Sequence, residues 1–140
     1  MQANAAGARY KRRRIGIVGG VPCLLLQAAR EKRVELFTST PLLAELTDIL
    51  GRRKFEKKIV ASMLSIDQLV DRYAELAVFV RPTTVPRIAP DPDDDAVIGT
   101  ALAAEAERII TGDRSLLSVA AYEGVRIISV SQGVREITTV

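Results

Sequence analysis

Histidine and tryptophan are absent from this 140-residue chain, and cysteine occurs once, as Cys23. The absence of histidine excludes Ser–His-type catalytic triads and histidine metal sites. A single cysteine excludes both an internal disulfide and a cysteine-based zinc site. Acid–base or metal chemistry therefore has to rest on carboxylates, hydroxyls, lysine or arginine.

Long apolar runs are also absent. No run approaches the length of a membrane span, and the basic residues near the N-terminus are not followed by the apolar segment of a signal peptide. We therefore predict a cytoplasmic location. The length, with 48% hydrophobic and 26% charged residues, fits one globular domain.

Acidic residues are missing from residues 1–14. The basic residues of this segment are Arg9, Lys11, Arg12, Arg13 and Arg14. The formal net charge is +3, so the remainder carries 3 − 5 = −2. We interpret residues 1–14 as a disordered basic tail and residues 15–140 as the folded domain. The alternative for the tail is attraction to nucleic acid or to an anionic surface.

Beyond the tail, apolar periodicity predicts alternating strands and helices. Predicted helices cover 22–33, 40–52, 65–78 and 115–122, and predicted strands cover 34–38, 78–80, 108–111 and 125–130. Residues 15–21 are interpreted as a loop or a poor strand, because three glycines interrupt them. This order predicts an α/β domain with a mostly parallel sheet covered by helices.

The acidic residues concentrate between positions 91 and 113. This stretch opens with Asp91, Asp93, Asp94 and Asp95, continues as an Ala-rich predicted helix, and ends in a short strand before Asp113. Ligands of open α/β sheets bind at the carboxyl ends of the strands, so we expect Asp95 and Asp113 to face one another there. The alternative is a solvated acidic loop that favours the N-terminal dipole of the next helix.

A third acid, Glu45, lies at the margin of the apolar stripe of the helix predicted over 40–52. It is a candidate site residue, and the alternative is a boundary glutamate whose stem reaches water. Clustered carboxylates repel one another unless a cation neutralises them. Oxygen ligands without histidine or cysteine select Mg²⁺ or Mn²⁺.

A second basic cluster follows the same helix. Its members are Arg52, Arg53, Lys54, Lys57 and Lys58. The cluster can neutralise a phosphate backbone, or it can be a solvated helix end and loop. Composition leaves these alternatives open.

The order and spacing of four segments resemble a PIN-domain protein, of the group described as toxins of toxin–antitoxin pairs. The segments are VELFTSTPLLAELTDILGRRKF, DPDDDAVIGTALA, RIITGDRSLL and VRIISVSQGV. This resemblance implies a three-layer α/β/α sandwich and a ribonuclease dependent on Mg²⁺ or Mn²⁺. It places the second acidic position of the family at Glu45, the third at Asp95 with Asp94 beside it, and the fourth at Asp113. Thr111 is a weaker candidate.

The same resemblance implies roles and partners. Glu45, Asp95 and Asp113 would hold the metal and orient the attacking water, with Asp94 as a further ligand. The cations that would attract RNA are Arg52, Arg53, Lys54 and Lys57. A cognate antitoxin and a homodimer are implied as well. The alternative is a non-catalytic binding module for an antitoxin or RNA.

The family's first strand, which ends in Asp-x-Asn, has no counterpart here. Residues 1–20 contain no Asp or Glu. We therefore expect a sheet without its central strand and a weak or inactive enzyme. One hypothesis is a shifted reading frame. Permitted codons for residues 4–19, read from the second base, can encode Met-Leu-Arg-Val-Leu-Asp-Thr-Asn-Val-Val-Val-Ser-Ala-Leu-Leu, an apolar strand ending in Asp-Thr-Asn.

Overall fold

The computed structural model describes residues 15–19 and 29–138. Its strands are β1 (Ile15–Gly19), β2 (Val34–Thr38), β3 (Ala77–Phe79), β4 (Arg108–Thr111), β5 (Ala121–Tyr122) and β6 (Val125–Ser129). Its helices are α1 (Thr40–Leu50), α2 (Glu56–Ser62), α3 (Ile66–Leu76), α4 (Pro92–Ala104), α5 (Arg114–Leu117) and α6 (Val130–Thr138). A 3₁₀ turn, Arg53–Phe55, joins α1 to α2.

The six strands form one sheet in the order β3-β2-β1-β4-β6-β5. All neighbouring pairs are parallel except β5 with β6. Parallel neighbours need long crossover connections, and the helices between the strands supply them. The predicted mostly parallel α/β sheet is confirmed.

Two hydrophobic clusters pack on the opposite faces of this sheet. Ile17 and Ile110 belong to the cluster beneath α1 and α3, whereas Val18 and Ile109 belong to the cluster beneath α4 and α5. Successive residues of a strand point to opposite faces, which explains why neighbours in sequence join different clusters. The result is the three-layer arrangement expected of an α/β/α sandwich.

Strand β1 corrects one expectation. The sheet was predicted to lack its central strand, but β1 lies between β2 and β4. A Cβ on Gly16 would lie 3.2 Å from the Phe37 ring and 3.3 Å from Ala106 Cα. The glycine thus permits close packing at the centre of the sheet instead of interrupting the strand. The strand carries no carboxylate.

Other predicted elements differ in extent. α1 ends at Leu50, and the basic segment after it contains the helix α2, which has no buried residue. Ile59 of α2 is partly buried against the core, and apolar periodicity cannot reveal a short helix that contacts the core so little. The helix predicted over 115–122 is only α5, followed by β5, and the chain continues after β6 as the helix α6. The basic tail and residues 22–28 of the first predicted helix lie outside the described residues.

The connector between β3 and α4 lies against α4 at Gly99. Its Thr83 N–H donates to the Gly99 carbonyl oxygen over 2.9 Å. A Cβ on Gly99 would overlap the Thr83 carbonyl oxygen. The missing side chain therefore allows the connector to approach the helix that carries the acidic run.

We predict that Gly99→Ala lowers the free energy of unfolding by about 2 kcal/mol, because the added methyl group must displace connector backbone. Gly112→Ala is the matched control, since a Cβ at Gly112 meets nothing within 4 Å. Urea unfolding of both variants measures the difference. Equal stability of the two variants would contradict this account of the connector.

Candidate metal and nucleic-acid site

The candidate acids are carried by elements that begin at the carboxyl edge of the sheet. α1 follows β2 directly and carries Glu45 in its second turn, while α5 follows β4 and has Asp113 at its N-cap. Asp94 and Asp95 occupy the first turn of α4. Because the strands are parallel, the ends of β2 and β4 lie at the same edge. Three separate segments thus present carboxylates there.

Asp113 is held by the backbone of α5. Its Oδ1 atom accepts hydrogen bonds from the Ser115 N–H at 2.8 Å and the Leu116 N–H at 3.3 Å. The Thr111 hydroxyl in turn accepts a bond from the Asp113 N–H at 3.0 Å. Thr111 therefore shapes the turn, while one Asp113 oxygen is anchored and the other remains available for a ligand.

Asp94 has the most strongly shifted pKa among the acids of the site. Its Oδ2 atom is buried and has no hydrogen-bond partner among the described residues. Burial, and then the charges of neighbouring carboxylates, raise the pKa of Asp94 to about 6. Those carboxylates, in decreasing order of effect, are Asp113, Asp91, Glu45 and Asp93. The charges of all three acid-bearing elements therefore meet at Asp94.

Glu45 is exposed, and none of the described residues forms a hydrogen bond or ion pair with its carboxylate. Its charge nevertheless contributes to the raised pKa of Asp94. Asp48, one turn further along α1, is exposed and is not among the groups that raise this pKa. The structure thus brings Glu45, rather than Asp48, into the electrostatic neighbourhood of the other acids.

Asp95 has a different environment from its neighbour. Its Oδ1 atom accepts hydrogen bonds from the Ala89 N–H at 2.8 Å and the Ile88 N–H at 3.2 Å. Its Oδ2 atom accepts one from Arg87 Nε at 3.2 Å. These contacts, led by the Ala89 bond, lower the pKa of Asp95 against the opposing effect of burial. The Asp95 carboxylate therefore holds α4 to the segment that joins β3 to α4. Asp94 is the acid whose pKa responds to the charges of Asp113 and Glu45.

Asp91 and Asp93 are the members of the acidic run to which the sequence assigns no site role, and of the two Asp91 has the larger effect on the pKa of Asp94. It is the N-cap of α4, where it accepts a hydrogen bond from the Asp93 N–H at 3.0 Å, and its charge adds to the field at Asp94. The Asp-Pro pair at positions 91 and 92 is the sequence feature that predicts an N-cap at Asp91, because proline favours the first helical position.

No three of the described Asp or Glu residues are grouped closely enough to hold a metal ion as they stand. The residues fit a divalent cation in charge and ligand chemistry all the same. A cation would supply a partner for the bare oxygen of Asp94 and offset the repulsion that raises its pKa. The all-oxygen donor set is the kind that Mg²⁺ and Mn²⁺ prefer.

The second basic cluster lies on the 3₁₀ turn and α2. Arg52, Arg53, Lys54 and Lys57 are all exposed, and Lys54 Nζ lies 5.3 Å from the centre of the Phe55 ring. Arg52 is seven residues beyond Glu45. This separation corresponds to roughly 10 Å along the axis of α1 and its extension. The cluster therefore offers positive charge on the chain segment that continues from the acid-bearing helix.

A family model described as the PIN domain matches residues 19–115, which is more than half of the chain. The chain belongs to the PIN-domain family. The match contains Glu45, Asp94, Asp95, Asp113 and the basic cluster, and it begins at the last residue of β1. Membership of the PIN-domain family indicates a nuclease-type function in general. No curated protein and no solved structure matches the chain.

Within the described ranges, no helix of this PIN domain is long and apolar enough to cross a membrane.

The contrast between Asp94 and Asp95 generates a pH-dependent prediction. The folded-state pKa of Asp94, about 6, lies above the ordinary value of 3.8, so the ionisation of Asp94 costs stability as the pH rises between these values. Asp94→Asn should raise the free energy of unfolding at pH 8 by about 1 kcal/mol, after allowance for solvent screening, and should have no such effect below pH about 4.

Asp95→Asn should have the opposite effect. The pKa of Asp95 is lowered, so its stabilising contribution is present at neutral pH and is lost as the pH falls through its folded-state pKa. Thermal unfolding of both variants from pH 2 to pH 8, with a chelator present, covers the pH ranges in which both effects change. Shifts of the same sign in both variants at pH 8 would contradict the assignment.

Proposed function

We propose that this PIN domain is a metal-dependent ribonuclease that hydrolyses RNA phosphodiesters, with Glu45, Asp94 and Asp113 holding Mg²⁺ or Mn²⁺. The supporting observation is the buried, unpartnered oxygen of Asp94, whose pKa is raised to about 6 by burial and by charges that include Asp113 and Glu45. In this proposal Asp95 is a positioning residue, because its carboxylate is engaged by the connector.

A divalent cation bound there would neutralise phosphate charge and lower the pKa of water. The protein's own residues supply orientation. Asp113 is fixed through one oxygen by two N–H donors, so its second oxygen keeps one direction. Glu45 can accept a hydrogen bond from an attacking water, because its carboxylate has no partner among the described residues. Above pH about 6, Asp94 is ionised and able to act as a ligand.

We further propose that Arg52, Arg53, Lys54 and Lys57 bind the RNA backbone. All four side chains are exposed, and no described carboxylate forms an ion pair with them. Cations that neutralise phosphates release counterions, so RNA affinity should fall steeply with salt. A salt series that leaves RNA affinity unchanged would contradict this role.

A second candidate function is a non-catalytic binding module. The observation that favours it is β1, which ends at the carboxyl edge without a carboxylate where the family has its first metal-binding Asp. A site with fewer carboxylates binds a divalent cation more weakly. We therefore expect the chain as written to be a weak or inactive nuclease.

A cognate antitoxin and a homodimer are further proposals that follow from the toxin resemblance. Exposed apolar residues offer surface for such partners: Val60 and Met63 at α2, and Val78 and Phe79 on the edge strand β3. Light scattering that gives the chain mass of 15.2 kDa alone would contradict the homodimer.

The central prediction concerns Mn²⁺ affinity. Glu45→Gln, Asp94→Asn and Asp113→Asn should each weaken Mn²⁺ binding by about tenfold or more, because each removes one charged ligand. Mn²⁺ affinity should also fall as the pH drops through about 6, where protons compete for Asp94. Calorimetric titration measures affinity, and cleavage of a single-stranded RNA with Mn²⁺ measures activity.

Asp48→Asn is the matched control, since it changes an exposed acid on the same helix as Glu45. Mn²⁺-dependent cleavage that is lost in Asp113→Asn and kept in Asp48→Asn supports the nuclease. Tight RNA binding without cleavage in any of the chains would favour the binding module instead.

The N-terminus can be tested separately. Replacing residues 4–18 with the second-frame sequence should raise Mn²⁺-dependent cleavage by about tenfold or more, because it restores a carboxylate to the site. The control is the same replacement with its Asp changed to Asn. Codons for residues 9–13 that cannot encode Asp-Thr-Asn in the shifted frame would end the frameshift hypothesis.

A further inference from the structure

Two buried hydroxyl groups join the helices that carry Glu45 and Asp94. Ser39 Oγ and Thr100 Oγ1 lie 2.8 Å apart, and both residues are 0% exposed. Ser39 immediately precedes α1, and Thr100 lies within α4. The hydrogen bond therefore connects two segments that are 61 residues apart in the chain.

The direction of this bond follows from the number of protons available. The Thr100 hydroxyl donates to the Ala96 carbonyl oxygen over 2.7 Å. A hydroxyl has only one proton, so Thr100 acts as the acceptor toward Ser39, and Ser39 is the donor. The two residues form a directed chain from Ser39 through Thr100 to the backbone of α4.

Ser39 makes this bond in place of a more common one. It occupies the N-cap position of α1, where a serine side chain usually accepts a hydrogen bond from the first turn, but it makes no such cap bond. The cap contact that would stabilise α1 alone is therefore absent, and the hydroxyl is used to join α1 to α4.

The bond spans the two layers that the sheet separates. α1 contributes Leu46 and Leu50 to one cluster, whereas α4 contributes Ile98 and Ala101 to the cluster on the other face. Leu42 of α1 is a partly buried contact of this second cluster. The Ser39–Thr100 bond thus fixes one layer against the other beside the end of β2.

We propose that Ser39 and Thr100 are positioning residues that set the spacing between Glu45 and Asp94. Each acid lies six residues from its member of the pair. This separation is roughly 9 Å along each helix axis. A change in the angle between the helices at the pair is therefore enlarged at the acids. The inference rests on the proposed metal-dependent function.

Thr38 provides a matched control within the same segment. It precedes Ser39, is 1% exposed, and its hydroxyl has no hydrogen-bond partner among the described residues. Thr38→Val and Thr100→Val are the same nearly isosteric change at buried sites. Only the second change breaks the connection between α1 and α4.

The experiment measures Mn²⁺ affinity from the electron paramagnetic resonance signal of free Mn²⁺, in full-length chains shown to be folded by circular dichroism. Thr100→Val and Ser39→Ala should each bind Mn²⁺ on the order of tenfold more weakly, because the helices that carry the ligands lose the bond that fixes their spacing. The double variant should be no weaker than either single variant. Thr38→Val should match the wild type, and Thr100→Ser, which keeps the hydroxyl, should restore most of the affinity.

The outcomes separate this inference from the proposed function. Mn²⁺ binding that is lost in Glu45→Gln and Asp94→Asn but unchanged in Thr100→Val and Ser39→Ala would overturn the positioning role alone. Binding that survives Glu45→Gln and Asp94→Asn would overturn the proposed function, and the inference with it. If Thr100→Val does not fold, Ser39→Ala and Thr100→Ser decide the question.

Discussion

Carboxylates from three separate elements repel one another at the carboxyl edge of the sheet, and this repulsion is the main constraint on the candidate site. α1, α4 and the N-cap of α5 bring Glu45, Asp94 and Asp113 close enough for their charges to oppose the ionisation of Asp94. No described cation pairs with Asp94. Such an arrangement costs folding energy and persists only because the surrounding packing enforces it. Sites of this kind are where function is concentrated.

Asp94 and Asp95 show how one helical turn can separate two roles. Consecutive residues of a helix point about 100° apart, so the two carboxylates face different surroundings. Asp95 meets two backbone N–H groups and Arg87, which favour its charge. Asp94 meets other acids, which disfavour its charge. The hydrogen bonds of Asp95 hold the first turn of α4 against the connector, and Asp94 lies in that same turn.

The sequence predicted the parts of this arrangement that depend on local pattern. The apolar stripe of its helix makes Glu45 a candidate, and the place after a short strand does the same for Asp113; the charges of both act on Asp94 in the structure. Asp94 could not be separated from Asp95, because the difference lies in a connector that folds back on the helix. The strand β1 was misjudged because its glycines suggested interruption, whereas Gly16 is needed for contact with Phe37 and Ala106.

Sequence patterns cannot predict contacts between segments that are distant in the chain. The bond between Ser39 and Thr100 joins residues of different layers, and neither residue interrupts the apolar periodicity of the helix that it precedes or belongs to. α2 was missed because a short helix that contacts the core so little has no apolar period to detect. The apolar periodicity of the sequence predicts the order of the strands and helices, and that order predicts the edge of the sheet at which the acids lie.

The composition of β1 bears on which positions of the chain can change while the fold is kept. Strands β2 and β4 pair with the backbone atoms of β1 alone. The pairing therefore does not depend on which side chain stands at the end of β1. Folding therefore places little selective pressure on the residue that chemistry requires there. The residue at the end of β1 can then change without altering the backbone pairing that holds the sheet together.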